Sequence, residues 1–337
     1  MRAIAYQTPQ AITAETALVD IDLPTPEPKG RDLLVEIRAV SVNPVDTKLR
    51  ANAAPADGGW RVLGFDAAGI VKAVGPDVTL FKEGDAVFYA GAIDRPGTNA
   101  EFHLVDERIV GRKPATLDFA AAAALPLTAI TAWEMLFDRL KVRESVPGAA
   151  NAILIIGGAG GVGSIAVQLA RRLTDLTVIA TASRPETADW VKSLGAHHVV
   201  DHGKPLAAEV AALGIGAPAF VFSTTNTTDH LAAIVETIAP QGRFGLIDDP
   251  KTLDVMPFKR KAVSTHWELM FTRSLFQTPD MIEQHRLLNE VARFVDAGDI
   301  RTTLAETVGT INAANLKTAH AMVESGRTRG KLVLSGF

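Results

Sequence analysis

The chain has 337 residues, room for about two domains at about 150 residues each. Charged residues make up 21% and hydrophobic residues 47%, an ordinary globular composition that argues against disorder. The 34 basic and 38 acidic side chains leave a net charge of −4, so no basic field recommends a nucleic-acid partner. Cysteine is absent, which excludes disulfides, thiolate nucleophiles, iron–sulfur clusters and zinc held by thiolates.

The first ten residues, MRAIAYQTPQ, lack the apolar core of a secretory signal. The apolar run at 118–130 is Ala-rich and broken by Pro126, so no membrane span is expected and a cytoplasmic protein is. The first third reads as β-rich: residues 1–6, the alternating LLVEIRAV at 33–40, AAGIVKAVG at 67–75 and DAVFYA at 85–90. Gly and Pro punctuate these segments, as in a barrel-like or sandwich unit. Ala-rich helix follows at 118–124, and a second helical stretch at 127–140.

From Asn151 onward strands and helices alternate. AILII is a continuous apolar run, as expected of a strand buried on both faces. Helices at 162–172, 185–194, 204–213 and 230–238 separate the strands LTVIATA, HHVVD, AFVFST and GRFGLID. That alternation predicts a parallel sheet with helices on both faces. Amphipathic helices at 283–297 and 312–325 and a last strand, KLVLSGF, close the chain. The expected organisation is one domain from 1–124 with 266–337, and a second, 125–265, inserted between them.

The strand ILII runs into Gly157-Gly158-Ala159-Gly160-Gly161-Val162-Gly163 and then a helix. Gly158, Gly160 and Gly163 satisfy G-x-G-x-x-G in the strand–turn–helix setting that binds a dinucleotide pyrophosphate. Gly160, Gly161 and Val162 would contribute backbone N–H groups at the positive end of the helix. An NAD site usually carries an acid about 20 residues further on. Here Ser183 and Arg184 stand in its place, which suits a 2′-phosphate and points to NADPH. The alternative for Arg184 is a solvated residue with Glu186 two positions on. Thr224, at the end of AFVFST, is expected to approach the cofactor.

Several segments together resemble the medium-chain dehydrogenase/reductase superfamily, within it the quinone oxidoreductase-like branch. They are SVNPVD (41–46), GFDAAGIV (64–71), GDAV (84–87), GTNAEF (97–102) and LPLTA (125–129). GGAGGVGS (157–164), LGAHHV (194–199) and GKLVL (330–334) complete the set. The stretch HWELMFTR (266–273) resembles a bacterial subgroup labelled zinc-type alcohol dehydrogenase-like. The resemblance implies an α/β fold, a Rossmann doubly wound parallel sheet plus a GroES-like β-barrel-type domain. It also implies a homodimer joined through the cofactor domain.

Zinc-dependent members of that superfamily ligate the metal through a Cys near the position of Asn43, a His–Glu pair at Phe65-Asp66, and a later Cys. None of those ligands except an acid is present, so the expectation is the fold without the zinc. The activity implied is hydride transfer from NADPH to a quinone, enone, enal or related carbonyl. The alternatives are a true zinc alcohol dehydrogenase and a non-catalytic, crystallin-like cofactor binder. By resemblance, Asn43 faces the nicotinamide, Asp46 anchors the same loop, and Thr128 brings a hydroxyl near the nicotinamide or its phosphate. Each has a bland counterpart: a turn-forming Asn before Pro44, a structural Asp with an ordinary exposed pKa, a Thr bonding its own helix backbone. His202 falls where relatives place a Tyr near the adenosine, or else caps a turn, and Ile247 would lie under the nicotinamide. Trp60, Tyr89, Trp267 and Phe271 are the aromatic candidates for the substrate wall, with core packing as the alternative for each.

Overall fold

The computed structural model describes residues 1–55 and 58–337. The chain divides into two compact units, Met1–Ile130 with Phe271–Phe337, and Thr131–Met270. Against the expected division, 125–130 fall in the first unit and 266–270 in the second.

The first unit begins with β1 (Arg2–Tyr6), β2 (Val19–Asp22), β3 (Asp32–Val42), α1 (Pro44–Asn52), β4 (Arg61–Val62) and β5 (Ala67–Val74). It continues through β6 (Ala86–Tyr89), β7 (Phe102–Asp106), β8 (Val110–Arg112), α2 (Phe119–Ala123) and α3 (Pro126–Trp133). The second unit carries β9 (Ala150–Ile156), α4 (Gly161–Leu173), β10 (Thr177–Thr181), α5 (Pro185–Ser193) and β11 (His198–Val200). After them come α6 (Leu206–Ala211), β12 (Pro218–Ser223), α7 (Thr227–Thr237), β13 (Arg243–Leu246) and β14 (Ser264–Trp267). The chain then returns to the first unit with α8 (Thr272–Leu275), α9 (Glu283–Asp296), β15 (Leu304–Gly309), α10 (Ala313–Glu324) and β16 (Lys331–Ser335).

In the first unit the order β15-β16-β3-β5-β6-β8 forms one sheet, with β7 on the far part of β3. All pairs in it are antiparallel except β15 with β16. A smaller antiparallel sheet has the order β2-β1-β4. The 11-residue β3 is the spine, pairing with β5, β7 and β16. Its apolar residues Leu33, Val35 and Ile37 alternate inward, so the period-2 pattern is met.

Three short strands, β4, β8 and β15, carry no periodic signal. They are edge strands or strands of two or three residues, and sheet neighbours rather than alternation hold them. The segment after Asn43, expected as a loop, is the helix α1. Its sequence PVDTKLRAN lacks an apolar stripe, but Pro44 at the first position and an acid in the first turn start it.

In the second unit all strand pairs are parallel, in the order β11-β10-β9-β12-β13-β14. Counting β9 as first, this is the 3-2-1-4-5-6 order, whose direction reverses between β9 and β12. Ile153, Leu154, Ile155 and Ile156 are fully buried, which explains the unbroken apolar run: helices cover both faces.

The path from Phe119 to Arg139 is long and apolar enough by length and composition to cross a membrane, where no such stretch was expected. The break expected at Pro126 is present: α2 ends at Ala123, and Pro126 opens α3, where it costs no hydrogen bond. Of its apolar window 83% is buried in the fold, as in a core helix.

The expected helix at 127–140 is α-helical only to Trp133 and then becomes a π-helical turn, Glu134–Arg139. That turn buries Glu134 beside Glu268, and Arg139 Nε donates to Glu268 Oε2 at 2.8 Å. Burial, and then the neighbouring Glu134, push the Glu268 carboxyl up to about 9. The unfolded chain releases this proton near the ordinary glutamate pKa of about 4.3, whereas the folded chain holds it, so stability falls as pH rises through that window. Glu268→Gln keeps a neutral, hydrogen-bonding side chain with no proton to lose. Its melting temperature is predicted to gain on wild type steadily between about pH 5 and about pH 9. Parallel melting curves across that range would contradict the shared-proton pair.

Candidate functional site

The second unit supplies a phosphate cradle. Between β9 and α4 the chain makes its turn at Gly157 (φ +78°) and enters the helix at the N-cap Gly160. The first N–H groups of a helix have no partner within it, and Gly160 has no side chain to satisfy them. The glycines differ in what they are for. A Cβ on Gly163 would stand 2.2 Å from Gly157 O and 2.7 Å from Gly158 Cα, so the helix can approach the strand only without one. A Cβ on Gly160 would meet nothing nearer than Gly157 O at 3.5 Å. Packing does not demand glycine there, although glycine is preferred to alanine as a helix N-cap.

The rim of the parallel sheet surrounds this turn. Gly157 N–H donates to Thr181 Oγ1 at 3.0 Å, and Thr181 Oγ1 lies 3.0 Å from His202 Nδ1. Thr224 Oγ1 donates to Ile156 O at 2.8 Å, locking the end of β12 to the end of β9 at the switch in strand order. Ile247 follows β13 and is half-buried. The structure thus gathers Gly158 to Gly163, His202 and Thr224 at one end of one sheet. Ser183 is exposed, and Arg184 caps α5, its backbone N–H donating to Thr187 Oγ1 at 3.2 Å. The Arg184 guanidinium lies 3.3 Å from Glu186, and both side chains are well solvated. An exposed pair of this kind contributes about 0–1 kcal/mol, little resistance to a phosphate that competes for the guanidinium.

The first unit holds a buried charge cluster that sequence patterns did not reveal. Asn43, Asp46, Asp66 and Lys331 are each at most 3% exposed. Lys331 Nζ, at the start of β16, reaches Asp66 Oδ2 (3.1 Å), Val42 O (3.0 Å) and Asn43 Oδ1. Asn43 Nδ2 donates to Asp66 Oδ2 at 2.8 Å, and Leu127 N–H donates to Asp66 Oδ1 at 2.7 Å. Asp46 Oδ2 accepts the Asn43 N–H (2.8 Å) and its Oδ1 the Gly64 N–H (3.0 Å).

Burial raises the Asp46 pKa to about 7; Asp66 adds to the rise, while backbone donors and Lys331 oppose it. Burial likewise raises Asp66, against Lys331 and its hydrogen-bond donors. The exposed Asp46 with an ordinary pKa is therefore corrected: the carboxylate lies inside, closing the first turn of α1. Asn43 has one strong donor bond and its oxygen is taken by Lys331, so its amide is committed to the cluster. Thr128 is buried and its hydroxyl donates to Leu125 O at 3.0 Å, the local helix bond considered as its alternative role.

The aromatic candidates divide. Tyr89 is fully buried; its hydroxyl lies 3.1 Å from His103 Nδ1, whose other nitrogen lies 2.9 Å from Pro96 O. That chain of bonds and complete burial leave Tyr89 no face for a substrate, which corrects its placement in the wall. Phe271 is also interior, edge to face with Phe65 at 5.2 Å. Trp60, in the first unit, and Trp267, on β14 of the second, keep exposed rings at 45% and 53%. Lys331 and His230 went unnoticed in the sequence. A Lys in a closing GKLVL strand gives no hint of burial, though a charge inside an otherwise apolar strand is the kind of signal that could have flagged it.

Two family descriptions match the chain: an alcohol dehydrogenase GroES-like domain over residues 29–115, and a zinc-binding dehydrogenase over residues 194–334. A zinc-type alcohol dehydrogenase-like protein of Staphylococcus aureus is 38% identical over 99% of this chain and 100% of its own length. A quinone oxidoreductase of Pseudomonas aeruginosa is 31% identical over 91% of this chain and 92% of its own. The crystal structure of a Rhizobium etli protein provisionally described as a zinc-dependent alcohol dehydrogenase is 71% identical. It superposes with a TM-score of 0.98, covering 100% of this chain and 98% of that one. The α/β fold is thus a Rossmann-like parallel sheet with a GroES-like domain.

A zinc ion does not fit the residues present. The chain has no Cys, and among the described residues no three His, Asp or Glu side chains gather as ligands. Asp66, the acid at the position considered, already faces the Lys331 ammonium, which would repel a dication. A nicotinamide dinucleotide does fit, because the open space at Gly160 lies over an uncapped helix start.

The two glycines are predicted to separate binding from folding. Gly163→Ala should lower the melting temperature by several degrees. Gly160→Ala should lower it less, by the cost of an alanine N-cap alone, while weakening dinucleotide binding at least about tenfold. Equal effects of both on stability, with unchanged binding in Gly160→Ala, would contradict the cradle.

Proposed function

Since the chain belongs to the medium-chain dehydrogenase/reductase superfamily of oxidoreductases, we propose that it is an NADPH-dependent, zinc-free reductase of conjugated carbonyl compounds. The observation that carries the cofactor choice is the end of β10. Where an acid would bind ribose hydroxyls, exposed Ser183 and the solvated Arg184 offer a hydroxyl and a guanidinium to a 2′-phosphate. Gly158, Ala159, Gly160, Gly161, Val162 and Gly163 hold the pyrophosphate, with His202, Thr224 and Ile247 lining the same end of the sheet. When bound, the reduced nicotinamide supplies a hydride.

The quinone, enone or related carbonyl class follows from the donor set. Without a Lewis acid to polarise an isolated carbonyl, a substrate whose negative charge spreads through conjugation is the easier acceptor. Likeness to the quinone oxidoreductase supports the same class. Asn43, Asp46 and Thr128 act here as positioning residues, since their donors are committed inside the first unit. The proton for the reduced oxygen then comes from water. Of the four aromatics, Trp60 retains an exposed face for a flat substrate.

The protein is placed in the cytoplasm as a homodimer. β14 is an edge strand of the parallel sheet, and exposed Trp267 and Leu269 at 52% give its edge an apolar margin. No nucleic acid and no membrane enter this scheme.

Loss of nicotinamide absorbance with a panel of quinones, enones and simple aldehydes tests it. NADPH is expected to support turnover at least about tenfold better than NADH, as kcat/KM, on the conjugated substrates. Arg184→Ala should erase that preference. A preference for NADH would overturn the phosphate assignment, and tight binding without turnover would leave a non-catalytic cofactor binder.

A further inference from the structure

Two histidines face each other at the ligand end of the parallel sheet. His202 follows β11 and His230 lies near the start of α7; their ring centroids are 6.0 Å apart with the planes at 63°. His202 is held in place. Thr181 Oγ1 accepts the Gly157 N–H and lies 3.0 Å from His202 Nδ1. That contact occupies Nδ1 and leaves Nε2 as the ring nitrogen not used by Thr181. The next residue, Gly203, ties the pair to the nucleotide rim: the nearest side chains to a Cβ placed on it are Asp201 and, at 4.0 Å, Ser183. Thus the Ser183 side chain and two imidazoles share one corner of the second unit.

The charges facing the pair are few. Asp201 adjoins His202. Asp229 and Asp248 lie near His230, and Asp248 is already engaged by the Thr227 backbone N–H at 2.8 Å and by the Thr227 hydroxyl. Burial lowers both imidazoles below the usual histidine range; for His202 the other ring adds to the lowering, and the aspartates only partly oppose it. Both rings are therefore neutral in the free protein at neutral pH. A phosphate dianion brought beside them reverses the balance, because it favours the imidazolium.

We propose that His202 and His230 form a proton-linked phosphate site, in which binding the adenosine 2′-phosphate of NADPH draws one proton from solvent onto the pair. This rests on the dinucleotide reading above, and it adds His230 and the proton to it. The consequence is a cofactor preference that depends on pH. Acid conditions favour the phosphorylated dinucleotide, and the advantage over NADH shrinks as pH rises.

Isothermal titration calorimetry of the whole protein with NADPH and with NADH tests this. Each titration is run in two buffers of different ionisation enthalpy, above about pH 6.5, where a phosphomonoester with a second pKa of about 6 is already a dianion. The expected result is uptake approaching one proton per NADPH and distinctly less per NADH. The NADPH affinity should fall by up to about tenfold per pH unit. His230→Gln should cut the proton uptake and flatten that slope. Equal uptake with both dinucleotides, or an NADPH affinity independent of pH in the wild type, would overturn the proposal while leaving the cofactor site standing. Binding of neither dinucleotide would overturn the cofactor reading itself and the proposal with it.

Discussion

Lys331 brings an ammonium group into the interior of the first unit, where an uncompensated charge costs several kcal/mol. Its partners come from distant parts of the chain: Val42 at the end of β3, Asn43 at the start of α1 and Asp66 just before β5. Asp66 in turn accepts from the second helical residue of α3, where a carboxylate also complements the helix dipole. Removing one member of such a set strands the others, typically at about 3–5 kcal/mol, so the cluster fixes β3, β16, α1 and α3 in one arrangement. Asp46 adds the last tie, joining Asn43 to Gly64 through two backbone N–H bonds.

That arrangement also decides what chemistry the first unit can support. The positions at which a metal would be ligated hold an amide, a phenyl ring and a carboxylate, and the carboxylate is neutralised from within the protein. The second unit keeps its helix N-terminus open at Gly160, and its hydroxyl, guanidinium and imidazole groups sit at the sheet end where strand order reverses. The first unit thus fills the positions of a metal centre with a charge pair of its own, and the second leaves a helix start open at Gly160.

Much of this was legible in the sequence, and the reasons differ by element. The parallel sheet was readable because its strands are buried on both faces, so ILII and FVF are unbroken apolar runs between helices of ordinary length. The glycine turn was readable because close approach leaves no alternative to glycine at Gly163. α1 was not readable, since burial of polar residues such as Asp46 and Arg50 removes the apolar stripe a helix usually shows. The cluster itself was hidden for a similar reason. Asn43, Asp66 and Lys331 look like ordinary polar residues until β3, β5 and β16 are side by side. Tyr89 and Phe271 show the reverse limit: an aromatic in a family-like motif gives no sign of whether its ring faces a ligand or the core.

The most direct test of the account is the metal content of protein purified from zinc-supplemented medium, measured by elemental mass spectrometry on the wild type and on Lys331→Ala. With a buried ammonium in place of a metal centre, zinc should stay below about one-tenth per chain in both, since removing the ammonium still leaves too few ligands for a tetrahedral site. About one zinc per wild-type chain, resistant to dialysis, would contradict it.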